Sequence, residues 1–263
     1  MNGAEGTIVY HGSFPGFLCA CAEALNSREP APRVLDARVE PTLFEARFQV
    51  ARDDERAAAL WDRISNRAGS QAMVTVLEAF LSGMPGADAS LATVLRKLWR
   101  KGAKALDDLS DGDVLAVEKA ALRARQEGHK FCGLVRFSKL SDGSWYAPVE
   151  PSCDVLPLIA EHFSTRFSSM RFAIHDLARG SAIIHEAGRP CSLVEGFHLD
   201  AATTQDGGRP DPEAELSRGE KEIRALWSLY FRAIAIEPRR NRRLQMSHMP
   251  RKYWSRLTEM GPD

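Results

Sequence analysis

The residues that could do chemistry fall into two groups. The first is a basic, aromatic-bearing stretch at 231–257, FRAIAIEPRRNRRLQMSHMPRKYWSRL, in which eight Lys or Arg face a single acid, Glu237. Guanidinium groups grip phosphates with two parallel N–H donors and stack on bases, and aromatic rings stack as well. This combination points to a nucleic-acid partner. The candidate contacts are Arg239, Arg240, Arg242, Arg243, Arg251, Lys252 and Arg256. Helical spacing over 250–258 puts Met249, Tyr253 and Leu257 on one inward face, with Lys252 and Arg256 on another.

The second group lies within 129–197 and comprises His129, Arg136, Glu150, Arg171, His175, Asp176, Arg179 and His185. In RFAIHD, strand alternation puts Arg171 and His175 on one face and Phe172 and Ile174 on the other. His175, Arg171 and Arg179 form the candidate catalytic set, suited to a phosphate or a damaged base. His175 and Asp176 face opposite sides and are not a ready-made base and orienter.

These groups need elements to hold them. TIVY at 7–10 reads as a strand, Gly12 and Ser13 as a turn, and Ser13 as the cap of a helix with Phe17, Leu18, Cys21 and Leu25 at helical spacing. Residues 27–42 read as a loop with one short extended piece, and 43–50 as a strand. Helices follow from Asp53 to about Arg67, near 69–82 and 88–101, and from Ser110 or Asp111 to about Gln126, ended by Gly128. From His129 the pattern turns to alternation. KFCGLVRFSKL and SWYAPVE flank an Asp142-Gly143 turn, and RFAIHD and SAIIHE flank LARG. The expected fold is α+β: an antiparallel sheet over about 129–197 with helices packed on it, a helical N-terminal half and C-terminal helices. Its expected organisation is a core at 1–199, a linker at 200–215 and a C-terminal helical segment at 216–263, packed as one unit.

Charge is uneven although the total is zero. Residues 221–263 hold ten Lys or Arg and four Asp or Glu, a net +6, which leaves −6 for the rest. A local basic patch attracts polyanions even on a neutral protein. Five cysteines without a regular framework, and no apolar run of membrane-spanning length, lead us to expect a reduced, cytoplasmic setting with no membrane partner. CxxxCxxC is absent, as are HxE with PCxxC, a P-loop, GxGxxG and HExxH. The chain is expected to hold no cofactor of its own and no metal.

YHGSFPGFLCACAEAL, the FCGLVRF and VEPSCDVLPLIAEHFSTRF blocks, and LWSLYFRAIAIEPRRNRRLQMSHMPRKYW together resemble a bacterial family of probable DNA metabolism proteins, a domain of unknown function. The resemblance spans nearly the whole chain and is most specific in the terminal block. It implies a setting in DNA repair or modification beside a radical-SAM protein, and in some members fusion to a uracil-DNA glycosylase-like domain. This chain is expected to be the unfused form. It carries His11 where the family's first motif has an acid, and the resemblance brings no catalytic residues with it. The leading expectation is an accessory protein of DNA repair that binds DNA and a radical-SAM partner. A DNA-processing enzyme using the 129–197 residues, and a structural partner of the radical-SAM protein that makes no DNA contact, stand as alternatives. Whether the chain is itself an enzyme stays open at this stage.

Overall fold

The computed structural model describes residues 6–27, 32–43, 45–198, 220, 223 and 242–260. The chain divides into two compact units, Met1–Arg125 and Gln126–Asp263.

The first unit opens with β1 (Thr7–Tyr10), α1 (Phe14–Asn26) and β2 (Arg33–Asp36), a strand–helix–strand crossover in which both strands run parallel. Ser13 caps α1, its side chain accepting from the Gly16 N–H at 3.2 Å. β3 (Arg47–Gln49) pairs parallel with the other side of β1, so the sheet order is β2-β1-β3. The strand expected over 43–50 is therefore only three residues long, and Phe48 points outward at 57% exposure. Helices α2 (Asp54–Ala68), α3 (Ser70–Leu81) and α4 (Ala87–Lys101) complete the layer, with Asp53 capping α2 through the Arg56 N–H at 3.0 Å. Their apolar stripes enclose Tyr10, Phe17, Ile64, Met73, Leu91, Leu95 and Leu98, all essentially inaccessible to solvent. Complete burial of each such side chain is worth about 1.5–3 kcal/mol.

At the carboxyl ends of these strands Asp36 is buried and takes both Nε and Nη2 of Arg38, at 3.0 and 2.6 Å. Burial by itself would raise the Asp36 pKa, but the Arg38 guanidinium and backbone N–H outweigh it and hold the carboxyl below its usual range. The Asp36 N–H donates to Asp88 Oδ2 at 3.1 Å.

α5 (Gly112–Leu134) continues well past Gly128, where the sequence suggested an end. Gly128 is needed for a different reason. A Cβ there would sit 3.3 Å from the Leu158 side chain, so the glycine lets α5 approach α6 (Leu156–Arg166) closely. Ala124, Phe131 and Leu134 recur at helical spacing and are buried, which carries the helix through the stretch that also alternates like a strand.

The second unit holds a five-stranded sheet ordered β4-β5-β6-β7-β8. Its strands are β4 (Ser138–Lys139), β5 (Trp145–Val149), β6 (Phe172–Asp176), β7 (Ser181–His185) and β8 (Ser192–Glu195). The Asp142-Gly143 turn closes the short β4–β5 hairpin, with Gly143 at φ 83°. The expected antiparallel sheet is overturned by the pairing of β5 with β6, which is parallel from Trp145↔Phe172 to Val149↔Asp176. The cause is α6 between them: a helical crossover carries the chain back to the end of the sheet where β5 began, so the two strands point the same way. The sheet is mixed, and the three-stranded sheet is wholly parallel. The protein is α+β with no simple antiparallel sheet.

C-terminal to these, α7 (Arg242–His248) and two 3-10 turns, Arg251–Arg256 and Thr258–Met260, are described. The expected linker at 200–215 lies outside the described residues, as do residues 216–241 of the expected C-terminal helical segment apart from Glu220 and Ile223.

Candidate functional site

The carboxyl ends of parallel strands are where open α/β sheets collect ligands. In the second unit that edge is the loop Glu150–Val155, between β5 and α6, together with the 177–180 turn after β6. Arg179 fastens the two. Its Nη1 donates to Asp176 Oδ2 at 2.8 Å and to the Pro151 carbonyl at 3.1 Å, and its Nη2 to the Ser152 carbonyl at 2.7 Å. Asp176 is fully buried, and its Oδ1 accepts the N–H groups of Ala178 and Arg179. Arg179 is thus a structural clamp in this loop pair.

Glu127 of α5 reaches the same loop. Its Oε1 accepts the Ser152 N–H at 3.0 Å, Lys252 Nζ at 3.2 Å and the Tyr253 hydroxyl, and its Oε2 accepts the Cys153 N–H at 2.6 Å. Burial opposes ionisation here, but hydrogen bonds from the Cys153 and Tyr253 side chains and the two backbone N–H groups prevail, pulling the carboxyl down to about 2. Burial first, then the neighbouring Glu127 carboxylate, push the Tyr253 hydroxyl strongly upward, so it stays protonated and donates. Lys252 Nζ also lies 2.6 Å from Ser152 Oγ and 4.5 Å from the Tyr253 ring centre. The C-terminal segment is therefore pinned to the sheet edge by one buried carboxylate, with Tyr253 and Leu257 buried beneath it.

Arg256 pairs with Glu150, Nη2 to Oε1 at 2.8 Å. Beside it Phe131, Pro148, Glu150, Lys252, Tyr253 and Arg256 line a recess of ≈ 10 Å³, room for about one water. Among the described residues, two buried side-chain atoms of this edge have no hydrogen-bond partner, Arg256 Nε and Asp154 Oδ1. Burial pushes the Asp154 carboxyl upward, with Arg179 opposing and Asp176 assisting.

The proposed catalytic set is not brought together. His175 is 7% exposed, its Nδ1 2.8 Å from the Tyr146 hydroxyl and its ring packed edge-on to Phe197. Burial lowers its pKa, which keeps the imidazole neutral. Arg171 precedes β6 at the opposite end from Arg179, exposed and paired with Glu186 at 3.1 Å. The five-residue strand between them separates the two ends by about 16 Å. Of the basic candidates, Arg239, Arg240 and the side chain of Arg242 lie outside the described residues. Arg243 and Arg251 are exposed, Arg251 with its guanidinium 5.7 Å from the Trp254 ring centre. Lys252 and Arg256 are engaged by Glu127 and Glu150.

Sequence reasoning passed over Glu127, although a signal existed. It falls three residues after Ala124 and four before Phe131, an acid on a buried apolar stripe. Such a residue must find donors, and the loop supplies them.

The family model for the domain of unknown function DUF4130 matches residues 85–259, which take in α4, α5 and every described element of the second unit. The chain belongs to the DUF4130 family. The pinned C-terminal segment and the sheet edge that holds it both lie within the DUF4130 match, while β1–β3 and α1–α3 precede it. No curated protein and no solved structure matches this DUF4130 chain. Among the described residues, no group of three or more His, Cys, Asp or Glu could hold a metal ion, the five cysteines are free thiols, and no helix is long and apolar enough to cross a membrane.

Proposed function

We propose that this DUF4130 protein is a nucleic-acid-binding accessory protein of DNA repair that works with a radical-SAM partner. The observation that carries the reading is the pinned C-terminal segment. Tyr253 and Leu257 are buried and Glu127 holds Lys252, while Arg243 and Arg251 stay exposed, with no carboxylate paired to either among the described residues. A basic segment fixed in place loses less conformational entropy on binding a polyanion than a free tail does. Trp254, half-buried beside the Arg251 guanidinium, adds a flat surface on which a base can stack. The DNA setting and the radical-SAM partner come from the family resemblance of the sequence.

The test is a salt titration of binding to double-stranded DNA. Each lost phosphate contact lowers the slope of log K against log salt by about 0.9. Arg243→Ala with Arg251→Ala should flatten the slope by about two such steps, and adding Arg239→Ala, Arg240→Ala and Arg242→Ala should flatten it further, with little regard to sequence. An unchanged slope in the five-fold variant removes the DNA reading. Co-purification with the radical-SAM protein in that case leaves a structural partner without DNA contact.

A further inference from the structure

A second set of cations belongs to the first unit, scattered along the sequence and gathered by the fold. Arg63 and Arg67 are four residues apart near the end of α2, on one exposed face. Arg100 and Lys101 close α4, and Lys104 lies in the 3-10 turn Gly102–Ala105 that follows. Side chains three apart across such a turn eclipse one another, which sets Lys101 and Lys104 together. The two helix ends meet. Arg67 Nη2 donates to the Arg100 carbonyl at 3.0 Å, and a Cβ on Gly102 would stand 3.1 Å from the Arg67 carbonyl oxygen.

All five side chains are exposed, and among the described residues none has a carboxylate within ion-pair distance. Lys97, one turn back on α4, shows the contrast, since Asp111 and Asp113 hold it. Of the acids close by in the chain, Asp108 is turned to Ser110, and Asp62 and Asp107 reach none of the five. Cations do suit the carboxyl ends of helices, but two such ends carry about one negative charge between them. Arg67 and one neighbour would answer that. The remaining cations repel one another at this spacing, and a polyanion relieves the repulsion.

We infer that this corner, formed by Arg63, Arg67, Arg100, Lys101 and Lys104, is a second surface for the phosphate backbone of double-stranded DNA. The inference rests on the nucleic-acid reading for the identity of the polyanion. The guanidinium forks of Arg63 and Arg100 suit two phosphate oxygens each, and the lysines act as point charges. No flat side chain is needed, because backbone contacts position a duplex without reading its sequence.

The experiment is a salt titration of the full chain on double-stranded oligonucleotides of two unrelated sequences. Arg63→Gln, Lys101→Gln and Lys104→Gln together spare Arg67 and Arg100, whose contact shapes the corner. This variant should lower the slope of log K against log salt by about 2.7 on both sequences, at about 0.9 for each lost contact. Arg63→Lys with Lys101→Arg and Lys104→Arg keeps the charges and should keep the slope. Lys119→Gln, Arg123→Gln and Lys130→Gln remove the same charge from exposed positions of α5 and should change the slope far less. An unchanged slope in the corner variant, or an equal fall in the α5 control, overturns the inference. If the five-fold C-terminal variant still flattens the slope in that case, the nucleic-acid reading stands without the corner. If the corner variant flattens it and the five-fold variant does not, the corner stands and the C-terminal segment is not the DNA contact. A wild-type chain that binds neither duplex overturns both.

Discussion

Each unit ends a set of parallel strands on an edge lined with carboxylates and arginines, and the two edges are finished differently. In the first unit, Asp36 is met at both oxygens by Arg38, and Asp88 accepts the Asp36 N–H. In the second, Glu127 and Asp176 are satisfied in the same thorough way, but Glu150 meets Arg256 through Nη2, and Arg256 Nε and Asp154 Oδ1 have no partner among the described residues. A fully paired edge holds loops in place and gains nothing from a ligand. An edge with idle buried donors and acceptors is less stable than its packing allows, and a ligand can recover the difference. By this contrast the first edge is closed by its own side chains, and the second leaves buried polar atoms that a water or a ligand can meet.

The strongest test of the contrast is Glu127→Gln. Its carboxylate collects donors at both oxygens, and the amide can accept at one oxygen only, so about 3 kcal/mol of stability should go. Denaturant unfolding measures the loss, and hydrogen exchange should show the amides of 251–257 opening first. The pH dependence has a definite sign. An unfolded glutamate titrates near 4.3, and the folded one is held at about 2. The advantage of wild type over Glu127→Gln should be complete above roughly pH 4.3 and shrink to nothing as pH falls toward 2. A constant difference across that range breaks the assignment of Glu127 as the ionised anchor.

Asp36→Asn probes the paired edge. The carboxylate is buried, but Arg38 lies 81% exposed, so water replaces part of what the guanidinium loses. The expected cost is about 1.5 kcal/mol, again vanishing as pH falls below the ordinary carboxylate range, because the folded pKa is depressed. DNA binding should be untouched. A neutral substitution here would mean that thorough pairing is no sign of a finished edge, and the comparison would lose its basis.

How much of this was legible can be judged residue by residue. Ser13 and Asp53 were readable as caps because a side-chain oxygen before an apolar helix has one obvious use, and the Asp142-Gly143 turn because few other pairs tolerate its backbone. The course of KFCGLV was not readable. Phe131 and Leu134 fit a helix face as the spacing 3 and a strand only loosely, and Gly128 looked like a stop when it is a contact with Leu158. The parallel pairing of β5 and β6 was hidden because both strands sit next to true hairpins, and only α6 between them decides the direction. In the site, the cations were visible and their owners were not: nothing local tells that Lys252 meets Glu127, 125 residues away in the chain.

Asp154→Asn should give the smallest effect and the one of opposite sign. Burial raises the folded pKa of this carboxyl, so the unfolded chain gives up its proton more readily. For an acid shifted upward, folding is penalised once the pH exceeds the unfolded pKa near 3.9, and the penalty stops growing above the folded pKa. Asparagine keeps the shape and cannot ionise. Near pH 3 both side chains are neutral and the two proteins should unfold alike. Near pH 7 the variant should be more stable, by under about 1 kcal/mol, since part of the charge is already compensated by Arg179. Paired denaturant curves at the two pH values isolate the charge from the shape, because the idle oxygen is present in both proteins. If the variant is less stable at pH 7, Asp154 has a partner that matters in the folded protein, and only Arg256 would remain to mark the second edge as unfinished.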